Sequence, residues 1–255
     1  KLWQSALSAK KNTFVAIADS GAGKTLGFLV PVMNMVLQWR DHQQKSNHDF
    51  TLPTGTILIV LPTKEMAQQM EKSVRQMVGE TPLSEAISTM LISGQDDIGK
   101  QRLALERQTP TILIGTPGRI CQLLDLGTFS LMHTKHLILD EADKLFTITY
   151  EKEVNRIIGH ARSRQTMHIV STILTKKIRN LYKSLDSSKT ELIRFVNELK
   201  YAPLESVQQR FLFVPEKFRH ANLAYLLNEN PGKRILVFAN ENISCIQLSI
   251  MLRSV

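Results

Sequence analysis

The sequence predicts an α/β protein built on a doubly wound parallel sheet. Short continuous apolar runs, Phe14-Val-Ala-Ile17, Thr56-Ile-Leu-Ile-Val-Leu61, Thr111-Ile-Leu-Ile-Gly115 and His136-Leu-Ile-Leu-Asp140, have the length and composition of strands buried on both faces. Stretches of helical periodicity separate them, and strand–helix alternation signals parallel crossovers. A cluster of small, polar or charged residues follows nearly every run. In an open parallel sheet that is where ligands bind, outside the carboxyl ends of the strands.

The 255 residues suffice for one large domain, or for an ordinary domain and part of another, and 43% hydrophobic residues can build a sizeable core. A formal net charge of +9 accords with a polyanionic partner without establishing one. Cys121 and Cys245 lie far apart, with no CxxC or Cys/His ligand spacing, which argues against a disulfide framework or a zinc site and fits a reducing intracellular compartment. No apolar run is long enough to span a bilayer. The chain opens on Lys1 rather than Met, which fits a piece of a longer protein.

Taken in order, Lys1 to Ala9 reads as a short helix and Phe14 to Ile17 as the first strand. Gly27 to Trp39 is apolar nearly all round, as a helix packed on a sheet should be. Asp41 to Asp49 is polar and reads as a loop; His42 and His48 in it lack a carboxylate or Cys at ligand spacing, so no metal site is assigned. The strand at 56–61 precedes a helix from Lys64 to Val78 with Met66, Met70, Val74 and Met77 on one side. A third strand runs from Ile87 to Ile92, a charged helix from Gly99 to Arg107, a fourth strand over 111–115 and a helix from Ile120 to Leu126. His136 to Asp140 and Met167 to Ser171 are the fifth and sixth strands, Leu174 to Tyr182 a helix and Glu191 to Val196 the last strand. Residues 197–206, containing Tyr201-Ala-Pro203, read as a linker between a first domain over 1–196 and the incomplete start of a second α/β unit over 207–255. Strands over Val207 to Val214 and Arg234 to Ala239, with helices over Arg219 to Leu227 and Ile243 to Leu252, are expected there.

Ala18, Asp19, Ser20, Gly21, Ala22, Gly23, Lys24 and Thr25 lie at a strand-to-helix turn. Small residues there let backbone N–H groups approach an anion, and the following helix adds its positive end. In the phosphate-loop pattern Lys24 reaches the β/γ-phosphates and the Thr25 hydroxyl ligates Mg2+; the usual first Gly is Ala18. Asp140 ends an apolar strand, from which a carboxylate completes the Mg2+ shell opposite Thr25, partly through water. Glu141 is the candidate to orient or deprotonate the attacking water.

The ordered set Ala18 to Thr25, Pro62-Thr-Lys-Glu-Met-Ala67, Ser93-Gly94, Thr116-Pro-Gly-Arg119, Asp140-Glu-Ala-Asp143 and Ser171-Thr-Ile173 resembles the DEAD-box RNA helicases over nearly the whole chain. The resemblance implies two RecA-like lobes that sandwich ATP and clamp single-stranded RNA. Lys24, Thr25, Asp140 and Glu141 would hold and hydrolyse Mg-ATP, with Lys24 and Glu141 catalytic. Pro62, Thr63, Lys64, Gly94, Thr116, Pro117, Gly118 and Arg119 would grip RNA phosphates and sugars, so binding should tolerate any sequence and weaken with salt. Asp143, Ser171 and Thr172 would couple hydrolysis to strand separation. Protein partners are expected and a membrane is not; cytoplasm is the expected location, with a ribonucleoprotein granule or the nucleus left open.

Departures from the family pattern define a second reading. Its third motif carries two hydroxyls two residues apart, and Ile173 stands where the second belongs. Thr172 points to the other side of an extended segment and cannot substitute. Lys64 replaces Arg and loses the bidentate fork for phosphate. Ser93 replaces Gly and places a Cβ where close backbone approach is expected. Gln4 resembles the adenine-reading Gln but lies nearer the phosphate loop than is usual, leaving that role and a plain surface Gln both open. These changes suit an RNA-binding scaffold with weak or no unwinding, acting in RNA-mediated gene silencing or ribonucleoprotein assembly, and resemble the divergent helicase-like domains of Tudor-bearing small-RNA silencing factors. The later motifs that bring arginines to the γ-phosphate are not in these residues, so weak ATP hydrolysis is expected of this chain alone.

Overall fold

The computed structural model describes residues 12–19, 21–46, 53–79, 87–195 and 208–253. Gln4, Ser20, the helix expected over Lys1 to Ala9 and the linker at 197–206 lie outside them. The chain divides into two compact units, Lys1–Glu198 and Leu199–Val255.

The first unit is a seven-stranded sheet flanked by helices. Its strands are β1 (Thr13–Ala18), β2 (Ile57–Val60), β3 (Thr89–Ile92), β4 (Ile112–Gly115), β5 (His136–Leu139), β6 (Thr166–Ser171) and β7 (Thr190–Phe195). They lie in the order β3-β4-β2-β5-β6-β1-β7, and every pairing is parallel. This is the doubly wound α/β fold that the apolar runs predict. Alternate residues of each strand enter opposite cores. Phe14, Ile57, Ile59, Ile112, Ile114 and Ile138 join one cluster, and Val15, Leu58, Val60, Leu113, Leu137 and Leu139 the other. Most of these side chains are fully buried, each contributing about 1.5–3 kcal/mol of transfer free energy.

The helices of this unit are α1 (Lys24–Ser46), α2 (Lys64–Gly79), α3 (Ile98–Arg107), α4 (Pro117–Asp125), α5 (Ala142–Leu145), α6 (Glu151–His160) and α7 (Lys176–Ser184). Phe28, Leu29, Val32, Met33 and Val36 of α1 and Ala67, Met70, Val74 and Val78 of α2 cover one face of the sheet; Met66 and Met77 pack at its margin. Ile120 and Leu123 of α4 and Val154 and Ile157 of α6 cover the other. The expected loop from Asp41 does not begin there, because α1 continues to Ser46. Its added turns contain Gln43, Gln44 and Lys45, which have good helix propensity.

The second unit contains α8 (Arg219–Asn228) and α9 (Asn242–Arg253), preceded by a short 3-10 turn at Glu216–Phe218. The strands expected over 207–214 and 234–239 do not form among its described residues. A strand must pair its N–H and C=O groups with a neighbour, and no segment described in this unit supplies one. Phe211, Phe213, Leu236 and Phe238 are accordingly exposed.

Candidate nucleotide and nucleic-acid site

Because every pairing is parallel, all the distinctive turns emerge at one edge of the sheet. Strand order then sorts them into two groups. On the β5-β6-β1 side lie Asp140, Ser171 and the phosphate loop. On the β3-β4-β2 side lie Ser93-Gly94, Thr116 to Arg119 and Pro62 to Lys64. The boundary is the β2–β5 pair, where the Asp140 N–H donates to Val60 O at 3.1 Å.

The phosphate loop leaves β1 at Ala18 and enters α1 at Lys24. Gly21 and Gly23 have φ of 81° and 75°, a region costly for any side chain. Lys24 Nζ donates to Ala18 O at 2.8 Å and Asp19 O at 3.3 Å, so its ammonium lies across the mouth of the loop. Thr25 is half-buried in the first turn of α1. Two strand positions away, roughly 10 Å across the sheet, Asp140 is only 7% exposed. Burial pushes its carboxyl up to about 6; the Glu141 N–H and the Lys24 charge pull the other way. A carboxylate driven toward neutrality gains from a cation. With Thr25 in the first turn of α1 and the Lys24 charge acting on Asp140, the donor set is of the kind that fits Mg-ATP.

Glu141 is the single non-glycine residue with positive φ among the described residues, at 53° with ψ 47°. Its N–H donates to Asp140 Oδ1 at 2.9 Å and its carboxylate lies 3.2 Å from Lys144 Nζ. This left-handed turn reverses the chain at the end of β5 and starts α5. Asp143, on α5, accepts the Ser171 hydroxyl at 2.7 Å. Ser171 Oγ also meets the backbone of residue 173, 2.9 Å from Ile173 O, while the Ile173 side chain is exposed. One of the two expected coupling hydroxyls is therefore engaged with the acidic motif, and the other is replaced by an apolar surface.

On the other side, the eight residues assigned to RNA divide by orientation. Thr63, Gly94 and Gly118 are exposed, and Lys64 and Thr116 half-buried. Pro62, Pro117 and Arg119 turn inward. Thr63 caps α2, its hydroxyl accepting the Met66 N–H at 3.4 Å. Thr116 precedes α4 with Pro117 in the first helical position, leaving the Gly118 N–H at an open helix end.

Arg119 is 6% exposed. Its guanidinium donates to Gly94 O, Asp96 O and Gln101 Oε1, each at 2.8 Å, and to Gln122 Oε1 at 2.9 Å. It fixes the turn after β3 rather than facing solvent. Ser93 likewise departs from expectation: its side chain is buried and its hydroxyl donates to Asp96 Oδ2 at 2.6 Å, so its Cβ does not stand on the exposed edge. Lys64 pairs with Asp96 Oδ1 at 2.8 Å. Asp96 and Gln101 escape sequence reasoning, because Asp96-Asp97 reads only as acid before a helix, and Asp97 does cap α3. Gly115 lets these turns meet: a Cβ there would lie 2.6 Å from Ile92 O.

A parallel sheet with a phosphate loop after its first strand and an acidic turn two strands away defines a phosphate-loop nucleotide-binding protein. Residues 1–181 match the DEAD/DEAH box helicase family, and the chain belongs to that family. It is 30% identical to a putative ATP-dependent RNA helicase, T26G10.1, of Caenorhabditis elegans, over 99% of this chain and 48% of that protein. It is 27% identical to the human probable ATP-dependent RNA helicase DDX47, over 97% and 50%. The chain thus spans about half the length of the curated relatives it matches. The crystal structure of a DEAD box protein from Methanococcus jannaschii superposes with a TM-score of 0.59 at 27% identity, over 96% of this chain and 60% of that one. The crystal structure of a hypothetical ATP-dependent RNA helicase from Sulfolobus tokodaii, at 20% identity and TM-score 0.60 over 76% of this chain and 52% of that one, shares the fold. Among the described residues no helix is long and apolar enough to cross a membrane.

Proposed function

We propose that the protein is an ATP-dependent RNA helicase or RNA clamp, in which residues 1–196 form the ATP-binding lobe and 207–255 the opening of a second lobe beyond a linker at 197–206. One observation carries this reading: a single sheet edge presents a nucleotide constellation and, beside it, a row of exposed helix-start and turn groups suited to phosphate and sugar.

Lys24 and the loop N–H groups bind the triphosphate, with Thr25 and Asp140 as the Mg2+ ligands. Bound Mg-ATP supplies a phosphoanhydride whose hydrolysis drives the cycle. Glu141, held at a fixed backbone angle beside Asp140, orients a water and accepts its proton. Thr63, Lys64, Gly94, Thr116 and Gly118 contact the sugar-phosphate backbone, while Pro62, Pro117 and Arg119 shape the turns that carry them. Ser171 reports the state of Asp143 to the adjacent segment. Such contacts read no base, so RNA is bound without sequence preference and salt weakens it. The site of action is intracellular, cytoplasmic or nuclear. A silencing scaffold without unwinding is the weaker reading, because the Ser171–Asp143 hydrogen bond is intact despite Ile173.

The test is Glu141→Gln measured beside Lys24→Ala. Glu141→Gln should keep binding a Mg2+-dependent ATP analogue and lose RNA-stimulated hydrolysis by about 10²-fold or more. Lys24→Ala should lose nucleotide binding itself. Hydrolysis at the unsubstituted rate in Glu141→Gln, or undiminished analogue binding in Lys24→Ala, refutes the assignment.

A further inference from the structure

Two of the residues that depart from the family pattern, Lys64 and Ser93, converge on one carboxylate. Asp96 Oδ1 pairs with Lys64 Nζ at 2.8 Å and Oδ2 accepts the Ser93 hydroxyl at 2.6 Å. Gln101 Nε2 lies 3.4 Å from Oδ2, and the Asp96 main-chain oxygen accepts Arg119 Nη1 at 2.8 Å. The acid is therefore anchored on three sides. Lys64 is not, since its long flexible stem lets the ammonium swing. The pair opens onto the same edge as Gly94 and Gly118, with side-chain exposures of 20% for Lys64 and 43% for Asp96.

We propose that Asp96 is a positioning residue for RNA binding: it holds Lys64 in place, and a phosphate reaching this edge must take Lys64 from it. The inference rests on the RNA reading above. Because the carboxylate cannot follow the ammonium outward, the exchange is competitive. Asp96 is ionised throughout the working pH range, the hydrogen bond from Lys64 and then that from Ser93 holding its carboxyl below the usual value. Ser93 gains a purpose that a glycine could not serve, since its hydroxyl aims the acid at Lys64. The edge thus carries its own competitor for phosphate, which limits how tightly RNA is held.

The test uses fluorescence anisotropy of a single-stranded oligouridine bound to the purified protein with Mg2+ and a non-hydrolysable ATP analogue. Asp96→Asn keeps the shape and the Ser93 contact but releases Lys64, and should tighten binding about two- to fivefold, the scale of an exposed ion pair. Asp96→Glu should restore the unsubstituted affinity. In a Lys64→Gln background, Asp96→Asn should change nothing. Weaker or unchanged binding in Asp96→Asn overturns the proposal. Equal tightening in the Lys64→Gln background also overturns it, because the acid would then act on RNA directly. If the unsubstituted protein does not hold oligouridine, the RNA reading and this inference fall together, whereas RNA binding indifferent to Asp96 removes the inference alone.

Discussion

His168 provides a quantitative test of how the core was built. It lies in β6, fully buried, with its ring stacked on Phe14 at 5.1 Å between centroids and 23° between planes. Among the described residues neither ring nitrogen has a hydrogen-bond partner. Burial drives its pKa down to about 3, and the nearby His136, whose Nδ1 is 2.8 Å from Thr166 Oγ1, is pushed by burial to about 4. Both folded values lie below the unfolded value of about 6.5. Above that pH both states are neutral and stability does not depend on these groups. Below it the unfolded chain binds protons that the folded chain refuses, so stability falls by about 1.4 kcal/mol per pH unit for each histidine until its folded pKa is reached. Between about pH 6.5 and 5 that amounts to about 2 kcal/mol apiece.

His168→Leu removes one share. At about pH 7.5 the variant should already be the more stable, because relief of two unpaired nitrogens, about 1–3 kcal/mol each, outweighs the lost ring stack, about 0.5–1.5 kcal/mol. At about pH 5 the variant should gain a further 2 kcal/mol or so over the unsubstituted protein. Urea unfolding at the two pH values, followed by far-UV circular dichroism, measures the difference directly. If both proteins lose the same stability on acidification, His168 is not the neutral buried group that this geometry requires.

Two further outcomes test the site's scaffolding. Gly115→Ala forces a Cβ against Ile92 O and should cost about 1–3 kcal/mol in a thermal melt; an unchanged melting temperature contradicts the close β3–β4 approach. Ser171→Ala deletes the hydroxyl accepted by Asp143, a bond to a charged group worth about 1.5–3 kcal/mol. Strand separation per ATP hydrolysed should fall about tenfold, and a ratio equal to that of the unsubstituted protein rules out coupling through this contact.

Much of the first unit was legible because its strands are buried on both faces, which leaves uninterrupted apolar runs such as Ile57 to Val60 that few other environments permit. The strand-to-helix turn before Lys24 and the strand-end position of Asp140 were legible because each is set by residues adjacent in sequence. What escaped was either weakly patterned or distant. Helix α6 buries only Val154 and Ile157 among charged neighbours, too narrow a stripe to announce itself. Asp96 has partners that lie three to thirty-two residues away, so nothing around it in sequence marks it as a junction. The inward turn of Arg119 could not be foreseen for the same reason: a surface arginine and a buried one are spelled alike. In the second unit, Ile235 to Ala239 has strand composition, but pairing depends on a neighbour and not on composition.

The β2–β5 pairing, where the two halves of the functional edge join, sets a limit on how this unit can transmit a signal. Ladder hydrogen bonds join every neighbouring pair of strands from β3 to β7, so the two halves of the edge are carried on one continuous sheet. On the proposed function a signal between the two halves would pass instead through side chains: the Lys24 ammonium, the Ser171 hydroxyl and the Lys64–Asp96 pair. Each is a side-chain contact at the start of a helix or the end of a strand, and in the proposed function each would exchange one contact for another. In such a device the shared sheet gives the small exchanges their meaning.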